Sequence, residues 1–268
     1  MCGGGFAGIS AALAAARMGS RVVLLEREYM LGGLGTAGLI TIYLPLCDGM
    51  GRQVSFGIAE ELLRLSISMG WEAKYPENWL DSDDPAGRNE NTKRFQVRYN
   101  AQLFAMLAEE LLLKEGVEIL YGTSVCGSAV NDGRITHVFI ENKSGRSAVE
   151  AVNYIDCSGD ADLCKFAGED TAMFGPGIVS SGWYYYFEDG KFDLQYVGTD
   201  CTKPERCVGL RRYGGVDGKE LSEYVIESHK EMLKHFFSKG EVTQSHAITT
   251  MATIPQARMT RRLAASYE

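Results

Sequence analysis

MCGGGFAGIS, Met1 to Ser10, places glycines at positions 3, 5 and 8. The spacing is G-x-G-x-x-G, a turn that ordinarily leaves a buried strand and opens a helix. Only Met1 and Cys2 stand before it, so the residues after it must decide whether the glycines are meaningful. Ile9 to Met18 reads ISAALAAARM, a strongly helix-forming run with unusually small side chains. Alanines at 11, 12 and 15 let such a helix lie close against a sheet. Gly19-Ser20 ends it. Val22 to Leu25 is then a short apolar run, two of its members β-branched, as expected of a parallel strand buried on both faces. Glu26 closes that strand.

Each part has a physical job in a dinucleotide-binding βαβ unit. Gly3 permits the tight turn, Gly5 lets the backbone approach a pyrophosphate, and Gly8 allows close helix–strand packing. The helix head at Phe6 and Ala7 aims N–H groups and the positive end of a dipole at the phosphates. Glu26 lies eighteen residues after Gly8, near the spacing at which an acid accepts hydrogen bonds from a ribose diol. Arg27 follows it. Directly afterwards comes LGGLGTAGLI, Leu31 to Ile40, a second glycine-rich loop that an NAD site does not require.

At this point the sequence resembles the FAD-dependent oxidoreductases of the glutathione-reductase-like, two-dinucleotide-binding class, and most closely a broad bacterial family of that name. The motif from Gly3 to Glu26 carries the resemblance, together with Gly32, Gly33, Thr36 and Gly38 in the second loop. The fold it implies is α/β: a Rossmann-like FAD-binding parallel sheet with a β-meander insertion, followed by a partial α+β substrate domain. The implied division is 1–168 for FAD binding, with the meander at about 128–155, and 169–268 for a partial substrate or cap domain. FAD is the implied cofactor and a small organic molecule the implied partner. Gly3, Gly5, Phe6, Ala7, Gly8, Glu26, Arg27, Gly32, Gly33 and Thr36 are the expected cofactor residues. The resemblance adds the backbone of Val125 at the adenine edge.

The family pattern also contains a strand before the first glycine and a closing flavin-contacting segment. Neither is found between Met1 and Glu268, so the chain reads as partial, and these residues alone are expected to bind FAD or fold poorly.

Further along, Ile58 to Met69 has helical periodicity ended by Gly70, and Trp71 to Arg94 is a polar surface excursion. Ala101 to Gly116 is a second periodic helix. Asn131-Asp132-Gly133 and Lys143-Ser144-Gly145 are turn signals between alternating strands, giving a three-stranded meander. Ala151 to Ile155 then reads as a buried strand running into Asp156-Cys157-Ser158-Gly159-Asp160-Ala161-Asp162, which resembles the family's D-(A/C)-(T/S)-G-D-A-D segment. Ser158 and Gly159 join the expected cofactor residues, and Asp160 is placed to cap the helix that follows.

Trp183 to Phe187 has the aromatic strand character of a sheet covering a substrate. Lys219 to Lys239 forms a helix whose His229 and His235 lack metal-ligand spacing. His246 is a candidate for proton transfer. Pro255, Arg258, Thr260, Arg261 and Arg262 resemble the family's P-x-x-R-x-(S/T)-R-R segment. Arg258 and Arg262 could orient an anionic substrate, and a solvated basic helix start is the equal alternative.

The charge balance of −8 leaves no basic excess for nucleic acid. No apolar run reaches membrane-spanning length, and there is no signal-peptide layout. Seven cysteines without a CxxC pair suit a reduced, cytoplasmic setting. The chemistry implied is hydride transfer at the flavin. An NAD(P)-dependent dehydrogenase and a non-catalytic nucleotide-binding module stand as alternatives.

Overall fold

The structure, a computed structural model, describes residues 1–43, 46–48, 53–68, 97–199, 204–257 and 260–264. The polar stretch 71–94 and the helix-ending Gly70 lie outside them. The chain divides into two compact units, Met1–Thr36 with Ile40–Ser124, and Ala37–Leu39 with Val125–Glu268.

In the first unit, α1 (Phe6–Arg17) leads to β1 (Val23–Leu25), and a short antiparallel pair joins β2 (Ile42–Tyr43) to β3 (Val97–Arg98). Two more helices, α2 (Ile58–Ile67) and α3 (Ala101–Lys114), precede β4 (Glu118–Leu120), which pairs parallel with β1 in the register Val23↔Glu118 to Leu25↔Leu120. On the other side of β1, Met1 to Gly3 run alongside it. The Met1 amino group donates to the Val23 carbonyl at 2.8 Å, Leu25 N–H to Met1 at 2.9 Å and Gly3 N–H to Leu25 at 2.8 Å.

Helix α1 ends where its sequence says it must. Gly19 adopts φ +86° and donates to Ala16 while Ser20 donates to Ala15, the paired bonds of a Schellman cap. Gly116 and Val117 end α3 in the same way through Leu113 and Leu112, and Asn100 caps its start by accepting the Leu103 N–H at 2.9 Å. Between these ends the apolar stripes of α1, α2 and α3 bury Ile9, Ala12, Leu13, Leu62, Phe104, Ala108 and Leu112 with Leu24 of β1. Small residues on α1 are what permit this close approach. Arg17 adds a surface clamp, two hydrogen bonds to Glu61 at 2.6 and 2.7 Å and one to Glu115 at 3.0 Å.

The second unit holds the meander β5 (Ser124–Asn131), β6 (Arg134–Asn142) and β7 (Gly145–Glu150), in sheet order β5-β6-β7. Helix α4 (Asp162–Phe166) and β8 (Thr171–Met173) follow. A larger antiparallel sheet has the order β10-β9-β11, from β9 (Ser181–Glu188), β10 (Lys191–Gly198) and β11 (His246–Met251). Helix α5 (Gly218–Phe237) covers one face of it, packing Met232 and Phe236 against Tyr184, Tyr186 and Val197. Asp217 caps α5 by accepting the Lys219 and Glu220 N–H groups. The last strand, β12 (Arg261–Leu263), pairs antiparallel with β8.

Two expectations are corrected here. Ala151 to Ile155 is not a buried strand; Val152 is 95% exposed, and the Tyr154 hydroxyl ties the segment down by accepting Ala151 N–H at 2.7 Å and donating to the Thr136 carbonyl at 2.6 Å. Arg261 to Leu263 is a strand, not the start of a basic helix, because its backbone completes a ladder with β8.

Candidate functional site

The chain leaves β1's flank at Gly3, whose φ of +102° only glycine adopts cheaply, and enters α1 at Phe6. Gly5 occupies the N-cap position. No side chain caps this helix, and no acid lies in its first turn. The first intrahelical bond runs from Ile9 N–H to Gly5 at 2.9 Å, so the amides of Phe6, Ala7 and Gly8 have no partner within the helix. They sit at the positive end of the dipole.

Gly5 itself has φ −66° and ψ −178°, comfortable for any residue, and a Cβ built there would meet nothing within 4 Å. Neither the backbone nor the neighbours demand glycine. The space before the helix head is a cradle that a side chain would fill.

Glu26 is buried, 6% exposed, and its carboxylate faces the turn. Oε2 accepts Gly4 N–H at 2.6 Å and Oε1 accepts Glu28 N–H at 2.8 Å. A carboxylate offers about four acceptor positions, so capacity is left for two hydroxyls. Arg27 points outward with its guanidinium 3.7 Å from Glu28. The second glycine loop comes alongside the first: Gly32 N–H donates to the Gly4 carbonyl at 2.8 Å, and Gly5 and Gly32 form a parallel bridge. Gly32 takes φ +102° and Gly33 φ +54°. Thr36 is almost fully buried, its hydroxyl donating to the Leu31 carbonyl and so closing this loop. The structure thus brings Gly3, Gly5, Phe6, Ala7, Gly8, Glu26, Gly32 and Gly33 together in the first unit. Free helix-head amides, an open cradle and a turn-facing carboxylate fit the phosphates and ribose of an ADP moiety. The amides of Gly4 and Glu28 were not legible as Glu26 partners, although the unbroken Gly3-Gly4-Gly5 run is the signal for so close an approach.

In the second unit, Val125 lies half-buried on β5. Asp156 organises the turn after the meander: Oδ1 accepts the Ser158 N–H and hydroxyl at 2.9 and 2.6 Å, and Oδ2 accepts Cys164 N–H at 3.0 Å. Ser158 in turn accepts the Asp162 N–H at 2.9 Å. Asp160 is therefore not the helix cap that its position suggests. Helix α4 starts two residues later, its start is served by Ser158 and Asp156, and Asp160 instead receives the Thr260 hydroxyl. Gly159 is exposed with φ +92°.

Burial works against ionisation of Asp156, but the hydrogen bonds from Ser158 and Cys164 outweigh it and hold the carboxyl below the usual range. A depressed folded pKa contributes stability above the ordinary carboxylate value, and that stability is lost as pH falls through the folded value. The melting temperature is expected to fall below about pH 4, and Asp156→Asn to flatten that limb of a pH–melting profile. An unchanged limb in the variant would contradict the assignment.

His246 begins β11, 7% exposed, its Nδ1 3.5 Å from Glu188 and its ring stacked on Phe236 at 4.8 Å. Arg262 is exposed on β12, whereas Arg258 lies outside the described residues. His229 and His235 are on α5, and the Tyr184 hydroxyl contacts His235 Nδ1 at 2.8 Å. Among the described residues no group of three or more His, Cys, Asp or Glu side chains is placed to hold a metal ion, and no helix is long and apolar enough to cross a membrane.

A glycine turn between parallel-paired segments, a small-sided helix and a strand-ending acid define a dinucleotide-binding fold. Residues 1–178 match the FAD dependent oxidoreductase family, more than half of the chain, and the protein belongs to that family of enzymes, whose cofactor is FAD. Solved structures agree on the fold. CabE, an aromatic hydroxylase from angucycline biosynthesis, is 16% identical with a TM-score of 0.53, covering 100% of this chain and 53% of its own. Aklavinone-11 hydroxylase in complex with FAD and aklavinone is 14% identical, TM-score 0.53, covering 100% and 54%. A geranylgeranyl bacteriochlorophyll reductase-like protein from Thermoplasma acidophilum is 13% identical, TM-score 0.55, covering 96% and 65%. The chain spans about half the length of the two hydroxylases. No curated protein is similar to it in sequence.

Proposed function

We propose that the first unit holds the ADP half of FAD and that the protein oxidises or reduces a small organic substrate by hydride transfer at the flavin. When bound, FAD supplies an isoalloxazine ring able to accept or release a hydride. The chain's own residues bind and orient. Amides of Phe6, Ala7 and Gly8 donate to the pyrophosphate, with Gly3, Gly5 and the Gly32-Gly33 backbone allowing close approach. Glu26 accepts the ribose hydroxyls while its bonds to Gly4 and Glu28 hold it in place. Thr36 keeps the second loop closed. Arg27 stands at the rim, Val125 is assigned to the adenine edge, and Ser158 and Gly159 to a turn that meets the cofactor. His246 and Arg262 are the described candidates for work on the substrate.

The observation that carries this reading is Gly5: a glycine at an N-cap where backbone and neighbours would accept any side chain, facing open space. Met1 to Gly3 already pair with β1 where the family pattern has its first strand. Against the expectation of poor binding, titration of the chain into FAD, followed by flavin fluorescence, is therefore expected to show saturable binding that ADP reverses. Flavin fluorescence that does not respond, while NAD binds by calorimetry, would replace this reading with the dehydrogenase one.

A further inference from the structure

The C-terminal strand carries a feature that the cofactor reading above does not use. Thr260 and Arg261 are adjacent, and both reach the turn before α4, about a hundred positions away. The Thr260 hydroxyl donates to the Asp160 carboxylate. Arg261 Nε–H donates to the Asp160 carbonyl at 2.8 Å, and its Nη2 donates to the Asp162 carboxylate. Thr260 is 4% exposed, and the Arg261 side chain 14%. A guanidinium buried this far needs fixed partners, and here the fork geometry of arginine serves a carbonyl and a carboxylate at once.

Between the two held residues stands Ala161, with φ +52° and ψ +42°. A non-glycine residue in the left-handed region is strained, and it persists only where the surroundings over-determine it. Asp156 and Ser158 fix one side of the turn by local bonds. Thr260 and Arg261 fix the remainder from outside. Their own seat is firm: β12 is in register with β8, Phe174 N–H donates to the Thr260 carbonyl at 2.7 Å, and Ala264 N–H to Asp170 at 2.8 Å. Meanwhile Gly159, next to the held segment, is exposed, and a Cβ there would meet nothing within 4 Å. The turn thus has a constrained base and an uncovered backbone crest.

We infer that Thr260 and Arg261 are positioning residues for the cofactor, acting through the Asp160–Asp162 backbone to hold the Ser158–Gly159 crest in the conformation that FAD meets. This rests on the assignment of Ser158 and Gly159 to the cofactor. It also removes Arg261 from the set of arginines available to an anionic substrate, because its guanidinium is engaged within the fold.

The test uses the full chain loaded with FAD and compares Arg261→Met, Arg261→Lys and Thr260→Val by FAD affinity and by the visible circular dichroism of bound flavin. Arg261→Met is expected to weaken FAD by about ten-fold, the equivalent of one or two lost hydrogen bonds, and to alter the flavin bands. Arg261→Lys should recover part of both, since an ammonium reaches the carbonyl or the carboxylate but lacks the fork. Thr260→Val should shift both in the same direction by less. Wild-type affinity and spectrum in Arg261→Met, even with a lowered melting temperature of the apoprotein, would reduce the pair to a structural clamp and overturn the inference. If Arg261→Met does not fold, Thr260→Val decides, and an unchanged flavin spectrum there overturns it equally. A wild-type chain that binds no FAD would overturn the cofactor assignment and this inference with it, a result distinct from binding that the variants leave untouched.

Discussion

Gly5→Val is expected to abolish FAD binding, a loss of about a hundred-fold or more, while the protein remains folded. The separation of the two effects is what makes the experiment decisive. Valine is at ease at φ −66°, and its Cβ would enter a space with no protein atom within 4 Å. The folded state loses only the small N-cap advantage of glycine over an aliphatic residue, about 1 kcal/mol, so the melting temperature should fall by no more than a few degrees. A ligand whose phosphates must approach the helix-head amides, by contrast, meets the isopropyl group first. Gly4→Ala is the counter-experiment. A Cβ at Gly4 would lie 2.8 Å from Leu31 Cδ2 and 2.9 Å from Glu26 Oε2, so this change should lower stability itself, by about 1–3 kcal/mol. Wild-type FAD affinity in Gly5→Val would mean that no pyrophosphate occupies the cradle, and the assignment of the ADP half to this turn would fall.

This contrast also marks what was legible in the sequence. The glycine turn, the alanine-rich helix, the apolar strand and its terminal acid are encoded within about twenty-five consecutive residues, where spacing alone dictates geometry. The meander was equally open to reading: Asp132 and Gly133 adopt φ +48° and +72°, the left-handed pair that an Asp-Gly hairpin turn requires. These features are local, and local patterns survive in a linear string.

What could not be read depends on partners far apart in the chain. Asp160 sits in a plausible capping position, but a cap is defined by where the helix begins. Helix α4 begins at Asp162, so Ser158 serves it instead. Arg261 reads as one member of the Pro255–Arg262 segment that resembles the family's motif, and no periodicity links it to Asp162, ninety-nine residues away. Ala151 to Ile155 reads as a buried strand, yet the Tyr154 hydroxyl takes up the Ala151 N–H where a ladder would have done so. Side-chain-to-backbone bonds of this kind compete with regular structure and leave no repeat in the sequence.

The largest stability effect is expected at Phe104→Ala, where the fold and the proposed cofactor site meet in one side chain. Phe104 is fully buried on α3 and stacks on Phe6 with centroids 4.8 Å apart and planes at 6°, with Tyr99 tilted against it at 5.4 Å. Removing a buried phenylalanine costs about 3–5 kcal/mol through lost transfer energy and the cavity left behind. Val152→Ala, at a position 95% exposed, serves as the control and should cost less than about 0.5 kcal/mol. Urea unfolding with the slope compared between variants would measure both. The site should feel the same change, because Phe6 is the first residue of α1 and its amide is one of the cradle's donors. Without the stacked ring beneath it, the first turn of α1 frays, and the free amides lose their fixed aim. FAD affinity should therefore drop in Phe104→Ala even under conditions where the variant is still folded, and a variant that binds FAD normally while losing several kcal/mol would show that the helix head is held in place by the backbone of the two glycine loops alone.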